Sequence, residues 1–458
     1  MAGMDAYGKI AAACGKVGNE PHVRALRDGL SALAPVLSGA GAVALVGRSL
    51  APWAAELLGG YAGAGVAGDA LATVEAWGVA VCLGVLLAGP VTLAAAVGHA
   101  LARIKHVGNP LACSAVCAAA WGVLAAAPLA RVLSVLAPVF WQVAGDPVAA
   151  AAAIQGGALQ GGSGTGALAA LGCAGYVLAA VVALGVGSFY LALSGARALR
   201  FSLGDDVPPA VGESFSALSV LAIALAALGA VSGVLAALGT DALAAASLVL
   251  EGPWRLIAAS PVGLAIVYAT GTALFALGIH QSTTNGVLVE PLATFIGAEA
   301  LLLWVLGEPV PVADALNMAS VNAYAVMGGT GCTVALVIAG RLLGKNAEVR
   351  ETLASATPAV VFNVNEPVIY GMPIVFNARL AVPFVLCSAL GIVLPWLAVV
   401  AGLVAPCVAP VPWVCPVVLS GFLTTGGDVR AALLQVAMIA VFTLIYLPFL
   451  KAEERARA

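Results

Sequence analysis

Apolar runs of about 20 residues, the length of a bilayer-spanning helix, recur at roughly 33–52, 76–99, 109–130, 170–194, 215–239, 259–279, 291–308, 323–342, 380–403 and 430–450. Polar residues collect between the runs and do not alternate within them, so the lumen-and-lipid pattern of a membrane barrel is missing. The pattern predicts an all-α polytopic membrane protein of about ten transmembrane helices with added re-entrant hairpins.

Some stretches depart from simple spans. Residues 280–290 and 357–377 carry polar or helix-breaking residues at membrane depth, where irregular backbone survives only inside protein or beside a wet cavity, so each is expected to be re-entrant. Residues 149–169 contain Gly161-Gly162-Ser163-Gly164-Thr165-Gly166. That run lacks the Lys-Ser/Thr and βαβ setting of a phosphate-binding loop and reads as a flexible or re-entrant loop. Residues 240–258, with Asp241, Glu251 and Arg255, are expected to form an interfacial helix on the outer face.

Composition removes the soluble alternatives. Of 458 residues, 62% are hydrophobic and only 9% charged, and the mean hydropathy is +1.07, outside the range of soluble globular chains. The 54 glycines suit closely approaching membrane helices. The net charge of −3 says little in a membrane protein, where the placement of charge matters more than its sum, and nothing in it points to a nucleic-acid partner. The nine cysteines have no CxxC spacing or histidine cluster, so they read as buried reduced thiols, and neither metal nor cofactor is expected. Residues 1–25 carry Lys9, Lys16, Glu20, His22 and Arg24 without a continuous apolar core, unlike a secretory signal. Arg24 and Arg27, Arg103 and Lys105, Arg197 and Arg200, Arg341, Lys345 and Arg350, and Lys451, Arg455 and Arg457 fall on one side of the threading. By the positive-inside rule that side, with both termini, is cytoplasmic.

Candidate chemistry concentrates in Val361-Phe362-Asn363-Val364-Asn365-Glu366-Pro367-Val368-Ile369-Tyr370-Gly371-Met372-Pro373-Ile374-Val375-Phe376-Asn377. A carboxylate and three amides in an apolar run are costly unless they serve a polar solute. Pro367 removes a backbone donor beside Glu366 and is expected to leave an acceptor-rich spot that a sugar hydroxyl could meet. Taken alone, Glu366 also reads as a carboxylate at a helix end. His280, followed by Gln281-Ser282-Thr283-Thr284-Asn285, can donate and accept hydrogen bonds, and reads equally as an interfacial histidine. Trp413, within Pro412-Trp413-Val414-Cys415-Pro416, offers a face for a pyranose ring or a place in the interfacial aromatic belt.

The segment from Phe362 to Asn377 resembles the FNINEPxxFGxPxxxN hallmark of the lactose/cellobiose/diacetylchitobiose family of phosphotransferase-system permeases, the enzyme IIC components. Other pieces are similar along nearly the whole chain: Arg24-Ala25-Leu26-Arg27-Asp28-Gly29, the VPPAVxxSF-like stretch from Val207 to Phe215, and Gly278-Ile279-His280 for GIHG. Gly328-Gly329-Thr330-Gly331 stands for GGSG, and Pro448-Phe449-Leu450-Lys451 closes the match. Gln281 and Thr330 depart from the family's glycine and serine.

The resemblance implies a dimeric enzyme IIC fold in a bacterial cell membrane. Residues 1–240 would form a scaffold and dimerisation half, and residues 241–458 the substrate-bearing half. Its implied activity is uptake of a disaccharide of the cellobiose, lactose or diacetylchitobiose class, coupled to 6-phosphorylation. The phosphoryl donor would be a cysteine on a separate enzyme IIB, charged through enzyme IIA, HPr and enzyme I. By the same resemblance, Glu366 and His280 hold the reacting hydroxyl, Asn363 and Asn365 shape the site, and Trp413 stacks on a ring. The residues alone also admit an ion-coupled sugar transporter or a non-transporting sugar sensor or scaffold.

Overall fold

The computed structural model describes residues 15–57, 66–107, 109–149, 169–196, 199, 209–248, 260–372 and 374–457. Among these the protein is helical, with no strand. Six helices among the described residues are long and apolar enough to cross a membrane: Pro21–Ala54, Gly68–Lys105, Cys173–Ser194, Leu218–Ala237, Ala378–Val400 and Val429–Ala456. The expected runs near 109–130 and 259–279 contain the shorter apolar helices Pro110–Leu124 and Pro261–Ala276. The glycine run at 161–166 and residues 249–258 of the expected interfacial helix lie outside the described residues. The part of that helix that is described holds one short helix, Ala242–Ala246, capped by Asp241.

The chain groups into two compact units. Among the described residues, one draws on 15–40 and 80–253 and the other on 41–79 and 254–458. In the first unit, α1 (Pro110–Leu124) packs on α2 (Cys173–Ser194). Small residues allow the approach: a side chain at Gly98 or Gly187 would meet the Cys117 thiol. The Trp121 indole donates to the Gly175 carbonyl at 3.2 Å, satisfying the only polar atom of a fully buried ring.

The second unit holds the sequence-predicted site. Its main packing is α3 (Pro261–Ala276) on α5 (Ala378–Val400), and α4 (Val334–Leu343) on α6 (Val429–Arg457). Phe275, Tyr324, Met327, Phe384, Phe442 and Tyr446 form a continuous buried core with them. Ser260 caps α3 by accepting from the Gly263 N–H, and Asn377 caps α5 by accepting from Arg379 and Leu380, so side chains satisfy amides that a helix start leaves open.

The run 323–342 is not one helix. It opens as a π-helical turn, Val321–Ala325, unwinds, and resumes helix only at Val334. Gly328, Gly329 and Gly331 have φ of 73°, 97° and 79°, a region that glycine enters without steric cost.

Candidate functional site

The hallmark segment is a helix, a tight turn and a second short helix. The first, Ala347–Val361, is capped by Asn346 and carries Pro358 inside it; the second is Glu366–Gly371. The break falls at Asn363, whose φ is 62°, a left-handed conformation that asparagine tolerates better than most residues. Pro367 therefore has a different effect from the one expected. It occupies the first turn of the second helix, where no backbone donor is needed, so it starts a helix and orphans no carbonyl.

Asn363 and Asn365 are buried and tie the turn to distant main chain. Asn363 Nδ2 donates to the carbonyls of Trp413 at 2.6 Å and Cys415 at 3.0 Å, while its Oδ1 accepts from the Gly328 N–H at 2.7 Å. Asn365 Nδ2 donates to the Thr330 carbonyl at 2.7 Å. A side chain at Gly329 would collide with the Asn365 carboxamide. The Gly328–Gly331 loop and the hallmark turn are thus one assembly, with glycine required by both φ and contact. Tyr446 Oη donates to the Gly331 carbonyl at 2.7 Å, and the Gly331 N–H donates to Ser388 Oγ at 3.1 Å.

Glu366 stands exposed at the start of the short helix, where a carboxylate is favoured by the helix dipole. Trp413 is 52% exposed, its loop held by Asn363. His280 is exposed just beyond the Gly278 turn that ends α3, its ring against Phe275 with centroids 4.8 Å apart. The elements bearing His280 and Glu366 are joined through the main chain, since the Phe376 N–H donates to the Ala276 carbonyl at 2.8 Å. The structure thus brings Asn363, Asn365 and Trp413 together by direct bonds and links His280 to the assembly through α3.

Sequence reasoning missed a residue that ties the chain beyond the Trp413 loop to the π-helical turn Val321–Ala325. Gln435 is fully buried. Its amide donates to the Ala323 carbonyl at 2.6 Å and to Ser420 Oγ at 3.0 Å, and accepts from the N–H groups of Val418 and Gly421. A lone amide in the apolar run 430–450 was the available signal.

Residues 78–388 match the family described as Phosphotransferase system, EIIC. The chain belongs to that family. The EIIC chain is 27% identical to the Lichenan permease IIC component of Bacillus subtilis (strain 168), over 98% of this chain and 93% of that one. It is also 27% identical to the PTS system cellobiose-specific EIIC component of Geobacillus stearothermophilus, over 56% of this chain and 57% of the relative. Its fold is that of the transporter ChbC, the IIC component from the N,N'-diacetylchitobiose-specific phosphotransferase system, with a TM-score of 0.76, 22% identity, and coverage of 97% of this chain and 96% of that one. Family membership makes the protein a membrane-embedded sugar permease component that works with an EIIB partner.

Proposed function

We propose that this EIIC protein imports a disaccharide of the cellobiose, lactose or diacetylchitobiose class and releases it inside the cell as the 6-phosphate. The observation that carries the reading is Glu366, an exposed carboxylate at a helix start beside two asparagines committed to holding its loop. Names of the relatives support the substrate class.

In the proposed step, the sugar 6-hydroxyl gives its proton to Glu366 as its oxygen attacks the phosphorus of a cysteine phosphate on enzyme IIB. The S–P bond breaks and the cysteine leaves as thiolate. A hydroxyl is a weak nucleophile at neutral pH, so a positioned acceptor addresses the difficult part of the reaction, and the rest is positioning and charge compensation. His280 orients the hydroxyl and Trp413 offers its exposed face to a ring. Asn363 and Asn365 shape the loop. The donor is recharged through enzyme IIA, HPr and enzyme I. The working unit is a homodimer in which residues 241–458 carry the sugar, and both termini face the cytoplasm.

The test is uptake into vesicles supplied with phosphoenolpyruvate and the soluble phosphotransfer proteins, with product mass read directly. Sugar phosphate is the expected product. Accumulation of unmodified sugar would replace the proposal with ion-coupled transport.

A further inference from the structure

The connection that carries His280 also holds amide atoms to which the protein gives no partner. Asn285 is 4% exposed, yet neither its Nδ2 nor its Oδ1 meets a hydrogen-bonding group of the protein. The Oε1 of Gln281, adjacent to His280, is also buried without a partner. Buried polar atoms are nearly always hydrogen-bonded, because leaving one unsatisfied forfeits its interaction with water. Leucine shares the branched shape of the asparagine side chain and carries no polar atom that needs a partner.

The placement of Asn285 depends on a glycine. A side-chain carbon at Gly271 would collide with the Asn285 carboxamide and crowd the Thr284 hydroxyl, so Gly271 leaves α3 bare where the amide lies. Gly271 is four residues, about one helical turn, before Phe275, whose ring packs against His280. One face of α3 therefore supports both His280 and, a turn away, the unpartnered amide.

We infer that Asn285, assisted by Gln281, is a specificity-determining residue of the sugar site and binds a pair of neighbouring pyranose hydroxyls. A carboxamide sets an acceptor beside a donor, the complement of adjacent hydroxyls of which one donates and the other accepts. A buried amide that expects such a pair rejects a sugar lacking one of them, because its own atoms are then left unsatisfied. The inference rests on the sugar-permease reading and extends it to which hydroxyls are read.

The experiment uses the full-length protein in vesicles with the phosphotransfer proteins. The probes are labelled cellobiose, lactose and diacetylchitobiose, followed by the monodeoxy analogues of whichever sugar yields product. Wild-type protein should discriminate by tenfold or more against at least one analogue. Asn285→Leu should raise the half-saturating concentration of the parent sugar by about tenfold and lose that discrimination. Asn285→Ser, small and polar, is read in parallel so that a folding failure of the leucine variant does not decide the question. Wild-type affinity and discrimination in whichever folded variant is read overturn the inference alone. Absence of sugar phosphate from wild type with every probe removes the permease reading, and the inference with it.

Discussion

The side-chain amide of Asn363 donates to the main-chain carbonyl of Trp413 at 2.6 Å, so the hallmark turn fixes the loop that displays the exposed indole. Asn363→Ala removes this bond together with those to Cys415 and Gly328. Each buried group left unsatisfied costs about 1–3 kcal/mol, and the left-handed backbone adds about 1–2 kcal/mol for alanine. The variant should unfold at a clearly lower temperature in detergent and transport poorly. Asn363→Gly should recover only the backbone part. Wild-type stability in the alanine variant would show that these bonds do not hold the loop.

Glu366→Gln preserves size and loses the basic acceptor. It should insert and fold normally while sugar-phosphate formation falls about 100-fold or more, the scale of a lost general base. His280→Ala is expected to weaken sugar binding and phosphorylation together, by about 0.5–3 kcal/mol for one hydrogen bond. Comparing binding with single-turnover phosphorylation separates the roles. Normal turnover in Glu366→Gln would end its assignment as base, and intact binding with slow turnover in His280→Ala would make the histidine a proton carrier.

Orientation is open to direct labelling. Lys345 and Asn346 donate main-chain N–H groups to Glu454 Oε1 at 2.9 and 3.0 Å, bonds that Lys345→Cys leaves in place. Among the described cysteines only Cys415 is not buried, so Cys415→Ser combined with Cys14→Ser provides the background. An impermeant thiol reagent should reach position 345 only in inside-out vesicles. Labelling from outside intact cells would reverse the threading and move phosphoryl transfer to the wrong face.

Asp428 supplies a pH-dependent clamp ahead of α6. Its Oδ2 accepts from the Ala405 N–H at 2.8 Å, and its Oδ1 from the N–H and Nε of Arg430, both at 2.9 Å. Burial raises its pKa, but the Arg430 side-chain bond, the two backbone bonds and the Arg430 charge outweigh that and leave the group below its usual value of 3.8. A depressed carboxylate contributes stability above the unfolded pKa and loses it as pH falls through the folded value. Asp428→Asn should therefore cost about 1–2 kcal/mol near pH 7. The gap from wild type should narrow as the pH drops below about 4. A gap that stays constant from pH 7 to pH 3, followed by thermal unfolding, would remove the charge from the argument.

Much of the architecture was legible in the chain because hydrophobicity and glycine are local signals. The apolar runs near 380–403 and 430–450 became α5 and α6 within a few residues. The run 323–342 shows the limit: its average hydropathy passes for a span, but positive-φ glycines unwind its middle. Likewise, Pro367 looked like a helix breaker and proved to be a helix starter, since the same missing donor is harmless in a first turn.

The sequence by itself determined the helical membrane class, through runs whose burial is encoded residue by residue, and it marked the asparagine–glutamate–proline turn as unusual, because amides and a carboxylate are costly to bury in such a run. The tertiary structure alone decided what those amides hold. Asn363 bonds to residues 35 and 50 positions away and Gln435 to one 112 positions away. Such pairings depend on where the folded chain returns, and no periodicity along the sequence carries that information.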